Sequence, residues 1–189
     1  MISLALYNTY DPKRLHEAHI RAVARAAPLS YAYGYHLVLV GFPIENLEKF
    51  VRTVRDSTTI GRGGSYLNDL FKTGKIHVIP YPKKGFPTHF GIPVATTSKP
   101  EMEKVISPLD VARLAEVTSL ILLIGLGRRG LPKETFKIAR YHLDITGKRI
   151  SLETCTAMGA IATTIAIYLE VLKWKNGKRR LHGSSQSLY

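Results

Sequence analysis

An α/β fold built on a parallel sheet is what this chain predicts. Three observations carry it. Apolar strand-like runs alternate with helical segments at intervals that suit βαβ crossovers. Two of those runs, His36-Leu37-Val38-Leu39-Val40 and Leu120-Ile121-Leu122-Leu123-Ile124, are apolar almost throughout, as strands with both sheet faces covered by helices are. Glycine- and hydroxyl-rich loops follow the later strands, at the edge where open α/β sheets put ligands.

The elements follow in order. Residues 2–7 form a first strand. Asp11 caps a first helix begun by Pro12, residues 12–27, and Pro28 stops it. The second strand, residues 36–40, ends at Gly41-Phe42-Pro43. Leu47, Phe50, Val51 and Val54 give residues 44–55 one apolar helical face. A polar, glycine-rich stretch, residues 57–65, leads to a short helix at 66–72, stopped by Gly74. Ile76-His77-Val78-Ile79 is a third strand, followed by an irregular loop carrying Lys83 and Lys84. Residues 93–97 make a fourth strand ending in Thr96, Thr97 and Ser98. Ser107 and Pro108 start a helix to about Val117. Residues 119–124 are a fifth strand, breaking into Gly125-Leu126-Gly127-Arg128-Arg129-Gly130-Leu131-Pro132. A short helix, residues 133–139, leads to a sixth strand-like piece, residues 141–145, and the turn at Thr146-Gly147. Ser151 then caps a long apolar helix reaching about Trp174, with Glu153 complementing its dipole.

At 189 residues the chain is one domain, residues 1–174, with a basic, flexible tail at 175–189. That length buries a real core. Cys155 is the only cysteine, which excludes an intrachain disulfide framework and a cysteine-based zinc site. The first residues read as a strand, not a signal peptide, so the expected location is the cytoplasm. The uncharged run at 154–169 is shorter than the roughly 20 residues a membrane span needs and is dotted with threonines, so a buried or dimer-interface helix is expected there.

Lys and Arg number 27 against 14 Asp and Glu, a net charge of +13. Such an excess attracts polyanions, and nucleic acid is the favoured partner. A generally basic surface is the bland alternative.

The candidate sites are loops. Gly125-Leu126-Gly127-Arg128-Arg129-Gly130 matches G-x-G-x-x-G, but it sits late in the chain, whereas a dinucleotide fingerprint belongs to a first βαβ unit. A plain strand-to-helix turn is the other reading. Thr96, Thr97 and Ser98 could bond a ligand or cap local backbone. His16 and His19 stand one helical turn apart, but no third metal ligand accompanies them, so exposed helix histidines are expected. Gly61-Arg62-Gly63-Gly64-Ser65 lacks the lysine of a P-loop. Cys155 reads as an inert core residue.

Taken together, three segments resemble the SPOUT superfamily of trefoil-knotted RNA methyltransferases. They are Val94-Ala95-Thr96-Thr97-Ser98, the strand and glycine loop from Leu122 to Pro132, and Leu143-Asp144-Ile145-Thr146-Gly147 with Ser151-Leu152-Glu153-Thr154. The likeness covers residues 92–174, and the chain as a whole looks like an archaeal SPOUT-like family. It implies a Rossmann-like parallel sheet with a C-terminal knot, against the usual rule that chains are unknotted. It implies S-adenosyl-L-methionine held by three loops. These are Thr96, Thr97 and Ser98; Gly125, Leu126, Gly127, Gly130 and Leu131; and Ile145, Gly147, Ser151 and Leu152. It also implies a homodimer through the first and last helices, with catalysis completed by an arginine of the first helix, Arg21 or Arg25.

The expected activity is methyl transfer to tRNA or rRNA, with Lys83, Lys84, Arg128 and Arg129 meeting phosphates. In many ribose-methylating relatives the second loop carries Gly-Ser-Glu-Gly and the last helix starts Ser-Leu-Asn. Here the loop is Gly-Leu-Gly-Arg, and Glu153 stands for the asparagine. Base methylation, a non-catalytic RNA-binding role and, from the glycine loop alone, a nucleotide-dependent oxidoreductase stay open.

Overall fold

Six strands lie parallel in one sheet: β1 (Ile2–Tyr7), β2 (His36–Val40), β3 (Ile76–Ile79), β4 (Ile92–Thr96), β5 (Leu120–Gly125) and β6 (Tyr141–Leu143), in the spatial order β3-β2-β1-β5-β4-β6. The computed structural model describes residues 1–57, 63–127 and 129–183. β1 and β5 are central, and β1 pairs Ile2 with Leu120 through Tyr7 with Gly125. The chain runs outward from β1 to β2 and β3, then returns to build the other half. The order therefore reverses at the β1–β5 seam, where such sheets leave a crevice at their C-terminal edge.

Among the described residues six helices accompany the sheet: α1 (Glu17–Tyr33), α2 (Leu47–Ser57), α3 (Gly63–Lys72), α4 (Pro108–Val117), α5 (Lys133–Ile138) and α6 (Thr154–Gly183). The expectation of helices on both faces holds unevenly. Residues of α1, α2, α3, α4 and α6 pack with Leu4, Leu6, Leu37, Leu39, Leu122 and Ile124 in one large apolar cluster. The opposite face, with Ala5, Val38, Val40, Ile121 and Leu123, is covered by Leu131, Ala139, Phe136 and the loop bearing Phe86 and Phe90. The chain between β3 and β4 crosses that face with only a 3-10 turn, Thr88–Phe90, because Pro82, Gly85, Pro87 and Gly91 deny it a helix.

Both ends of α1 and both ends of α6 differ from those the sequence predicts. α1 starts at Glu17, not Pro12: the Asp11 carboxylate accepts the Lys13 N–H at 2.8 Å, making a turn, and the helix begins where His19 Nδ1 accepts the His16 N–H at 2.9 Å. It also runs through Pro28 to a left-handed Gly34, because Tyr33 beyond the proline is bonded to Thr163 of α6 at 2.9 Å. Ser151 does not cap the last helix. Glu153 Oε2 accepts the N–H groups of Cys155 at 2.8 Å and Thr156 at 3.2 Å, so the helix starts at Thr154. Its other end lies beyond Trp174, at Gly183, so the tail begins as helix.

On α6, Met158, Ile161, Ala162 and Ile165 are buried, while Ile167, Val171 and Trp174 are exposed. At this length the segment Thr154–Gly177 is apolar enough to cross a membrane by length and composition, although one of its faces is packed in the protein core. His19, expected at the surface, is fully buried.

Candidate functional site

A cleft of about 960 Å³ opens at the C-terminal edge of β4, β5 and β6. Three loops and the β1–α1 turn wall it. The loop after β4 brings Thr96, Thr97, Ser98 and Lys99. Thr96 Oγ1 donates to the Leu123 carbonyl at 2.8 Å, and Thr97 Oγ1 accepts the Lys99 N–H at 3.0 Å. Thr96 thus locks β4 to β5, while the Thr97 hydroxyl still has a hydrogen to donate.

The glycine loop after β5 brings Gly125, Gly127, Arg129, Gly130 and Leu131. It doubles back tightly: a Cβ on Gly125 would lie 2.3 Å from the carbonyl carbon of Gly130, so only glycine fits. Gly127 has φ of 82° and sits beneath the ring of Tyr10.

The third loop, after β6, is folded around Asp144. Its carboxylate accepts the Thr146 N–H and hydroxyl at 3.1 and 2.7 Å and the Arg149 N–H at 2.7 Å. Burial pushes the Asp144 carboxyl up. The bonds from Thr146, Arg149 and Gly147 outweigh that and hold it below the ordinary carboxylate range. Ile145, Ile150, Ser151, Leu152 and Glu153 complete the wall.

The fourth wall is the turn carrying Thr9 and Tyr10. Asn8, 2% exposed, organises it. Asn8 Oδ1 accepts the Tyr10 N–H at 2.9 Å and bonds His19 Nε2 at 2.8 Å, and Nδ2 donates to the Gly41 carbonyl at 2.8 Å. The Tyr10 ring packs edge-on against His19.

Beside the cleft lies a second cavity of about 290 Å³. Arg21 and Arg25 of α1 line it with Tyr10, Leu126, Gly127, Glu153 and Cys155. Arg25 Nη1 donates to Cys155 Sγ at 3.3 Å, so Cys155 is a half-exposed anchor, not an inert core residue. Arg21 makes an exposed pair with Glu17 at 3.3 Å, a contact of little energetic weight.

Nearly all of the residues expected to hold a cofactor therefore meet in one cleft. Leu126 is buried beneath it and faces the second cavity, and Gly147 lines neither. Arg129 is exposed on the cleft wall; Lys83 and Lys84 are exposed on the loop after β3, away from both cavities. Arg128 lies outside the described residues. Among the described residues no three metal-ligating side chains cluster. Sequence reasoning missed Tyr10, Lys99, Asp144 and Glu153 as wall residues. The Asp144-x-Thr146 spacing, a turn signature, could have marked the third loop.

A parallel α/β chain with such a cleft has the fold of the SPOUT methyltransferases. The chain belongs to the family described as Protein of unknown function (DUF531), whose model matches residues 2–166. An uncharacterized protein of Methanocaldococcus jannaschii, MJ0224, is 44% identical over 171 residues, covering 90% of this chain and 96% of its own. Among solved structures, a probable methylase family protein from Haemophilus influenzae Rd KW20 superposes with a TM-score of 0.58 at 16% identity, over 92% of this chain and 68% of its own. The SpoU methyltransferase AviRb from Streptomyces viridochromogenes, in complex with AdoMet, gives a TM-score of 0.51 at 16% identity, over 87% of this chain and 57% of its own. A structure concerning 2-OH methylation of C/U34 on tRNA gives 0.52 at 19% identity, over 90% of this chain and 96% of its own.

Proposed function

We propose that this protein transfers a methyl group from S-adenosyl-L-methionine to RNA, a tRNA or an rRNA, as a cytoplasmic homodimer with a knotted C-terminal segment. The observation that carries the reading is the convergence of three loops from β4, β5 and β6 on one cleft. The cleft fits the cofactor. Its volume lies in the range of about 300–1,000 Å³ that small-molecule sites occupy. Ile124, Leu131, Ile145 and Leu152 offer apolar walls for a planar adenine, and Lys99 and Arg129 offer positive charge for a carboxylate. Thr97 and Ser98 add hydroxyls.

When bound, the cofactor supplies an electrophilic methyl on a sulfonium. The chain's part is to align the acceptor and exclude water. Arg21 and Arg25, from the neighbouring cavity, would meet the phosphates or the reacting nucleotide, and the +13 charge would gather the RNA. The exposed Ile167 and Val171 stand four residues apart on α6, as a helical dimer seam does. Insertion of α6 into a membrane would tear Met158, Ile161 and Ile165 from the core, which favours the dimer.

Calorimetry with S-adenosyl-L-methionine, followed by labelled-methyl transfer to bulk tRNA and rRNA, tests the proposal. Absence of binding would sink it. Binding without transfer would favour the alternative, a non-catalytic RNA-binding protein, the reading that the altered second loop and Glu153 support.

A further inference from the structure

Far from the cleft, at the N-terminal end of the strands, polar side chains gather on one face of the sheet. His36 Nδ1 of β2 and His77 Nε2 of β3 face each other at 2.8 Å, with the two rings only 7° from parallel. The His77 ring also meets Phe90 edge-on, and His89 packs beside Phe90. Ser3 of β1 is in register with His36, and adjacent strands lie about 4.8 Å apart. Side chains alternate along a strand. Ser3 therefore shares a face with Ala5 and Tyr7, and His36 with Val38 and Val40, the face that Phe90 covers.

Two features of this group have no role in the fold. The Ser3 hydroxyl is fully buried without a hydrogen-bond partner, a cost that alanine would avoid. The histidines also lack an acid. Burial, then His77, Lys75 and the Met1 amino group, push the His36 pKa down; burial and His89 do the same to His77. Among the described residues no carboxylate pairs with Lys75 or with these histidines. Hydroxyl, imidazole and ammonium groups without a counter-charge suit an anion. A metal ion would need converging ligands, and among the described residues no three such side chains meet.

We propose that this end of the sheet is an oxyanion site, where the Ser3 hydroxyl, His36 Nε2 and His77 Nδ1 bind a phosphate group beside Lys75. In the neutral pair one proton lies between the rings, so one of these two far nitrogens donates and the other accepts. Uptake of a single proton makes both of them donors and gives the pair a positive charge. The anion and that proton therefore bind together, each raising the affinity for the other. The cofactor cleft lies at the opposite end of the strands, so occupancy of this site does not depend on methyl transfer.

Imidazole proton NMR of the full chain, with signals assigned from His36→Gln and His77→Gln, tests the site. Sulfate is the first probe, because it keeps its charge while histidine titrates, and it replaces chloride at constant ionic strength. Saturable shifts of the His36 and His77 signals are expected. The affinity should rise as the pH falls from about 8 to about 5.5, by up to about tenfold per pH unit for one linked proton. Ser3→Ala is expected to melt at or above the native temperature and to bind sulfate about tenfold more weakly, the effect of one hydrogen bond to a charged group. His36→Gln is expected to flatten the pH dependence. Inorganic phosphate and polyuridylate then compete with sulfate. Displacement by phosphate alone makes the ligand a free phosphate; displacement by polyuridylate makes it a phosphodiester of RNA. No saturable shift, an affinity indifferent to pH, unchanged binding in Ser3→Ala, or displacement by neither competitor would overturn the inference.

Discussion

His19 is buried without charge, and its partners fix its tautomer. The His16 N–H donates to Nδ1, so Nε2 carries the proton and donates to Asn8 Oδ1. A second proton on Nδ1 would face the His16 N–H and open the turn that presents Tyr10. Burial, with the neighbouring His16, holds the His19 pKa below its ordinary value, and burial also depresses His36 and His77. A depressed folded-state pKa means the unfolded chain takes up protons first. Stability is therefore full above about pH 6.5 and falls as the pH drops toward the folded-state value. In His19→Gln, which can still accept and donate, the melting temperature is expected to fall less between neutral and mildly acidic pH. A decline parallel to that of the native protein would remove His19 from this account. Asp144 acts in a lower window: its depressed carboxyl supports the third loop until the pH drops below roughly 4.

At the scale of elements, the glycine loop and α6 carry the sharpest expectations. Gly125→Ala places a methyl within 2.3 Å of the Gly130 backbone, so the loop must open. Stability should fall by about 1–3 kcal/mol. Affinity for S-adenosyl-L-methionine should fall about tenfold or more, read by thermal melting and calorimetry; unchanged affinity would detach this loop from the cofactor. On α6, Ile167 is 56% exposed and Val171 41%, so the pair Ile167→Glu and Val171→Glu should leave the fold intact. Sedimentation is expected to find a dimer in the native protein and a monomer in the double variant; an unchanged sedimentation coefficient counts against the seam. Strand sites and the glycine loop were legible from sequence because apolar runs and glycine breaks are local signals. The start of α1 was not, because it depends on His19 finding Asn8 across a turn, and Pro28 misled because the helix beyond it is held by Tyr33 and Thr163, 130 residues apart. Intrinsic preference points to Ser151 as the cap of α6, but it is the Glu153 side chain that accepts from the two amides following it. Tyr10 was invisible as a wall residue because the seam of β1 and β5 exists only after folding.

For the whole molecule, the net charge of +13 means that the proposed RNA binding should respond to salt. The logarithm of affinity should fall linearly with the logarithm of salt concentration, by about 0.7–0.9 per phosphate neutralised. Lys83→Glu with Lys84→Glu should flatten that slope by about 2 units if both lysines touch phosphates, as filter binding across a salt series would show; an unchanged slope would place the RNA elsewhere. The pairing of β1 with β5 has a further consequence, for synthesis. β1 is made well before the neighbour on one of its sides, Leu120–Gly125. Until then one edge of β1 stays open, and the face of α1 that meets α6 stays bare until α6 itself is made. Such distant pairings make folding slow and leave sticky edges exposed. A nascent or truncated chain that ends before α6 is therefore a natural client for chaperones and a poor candidate for a folded fragment.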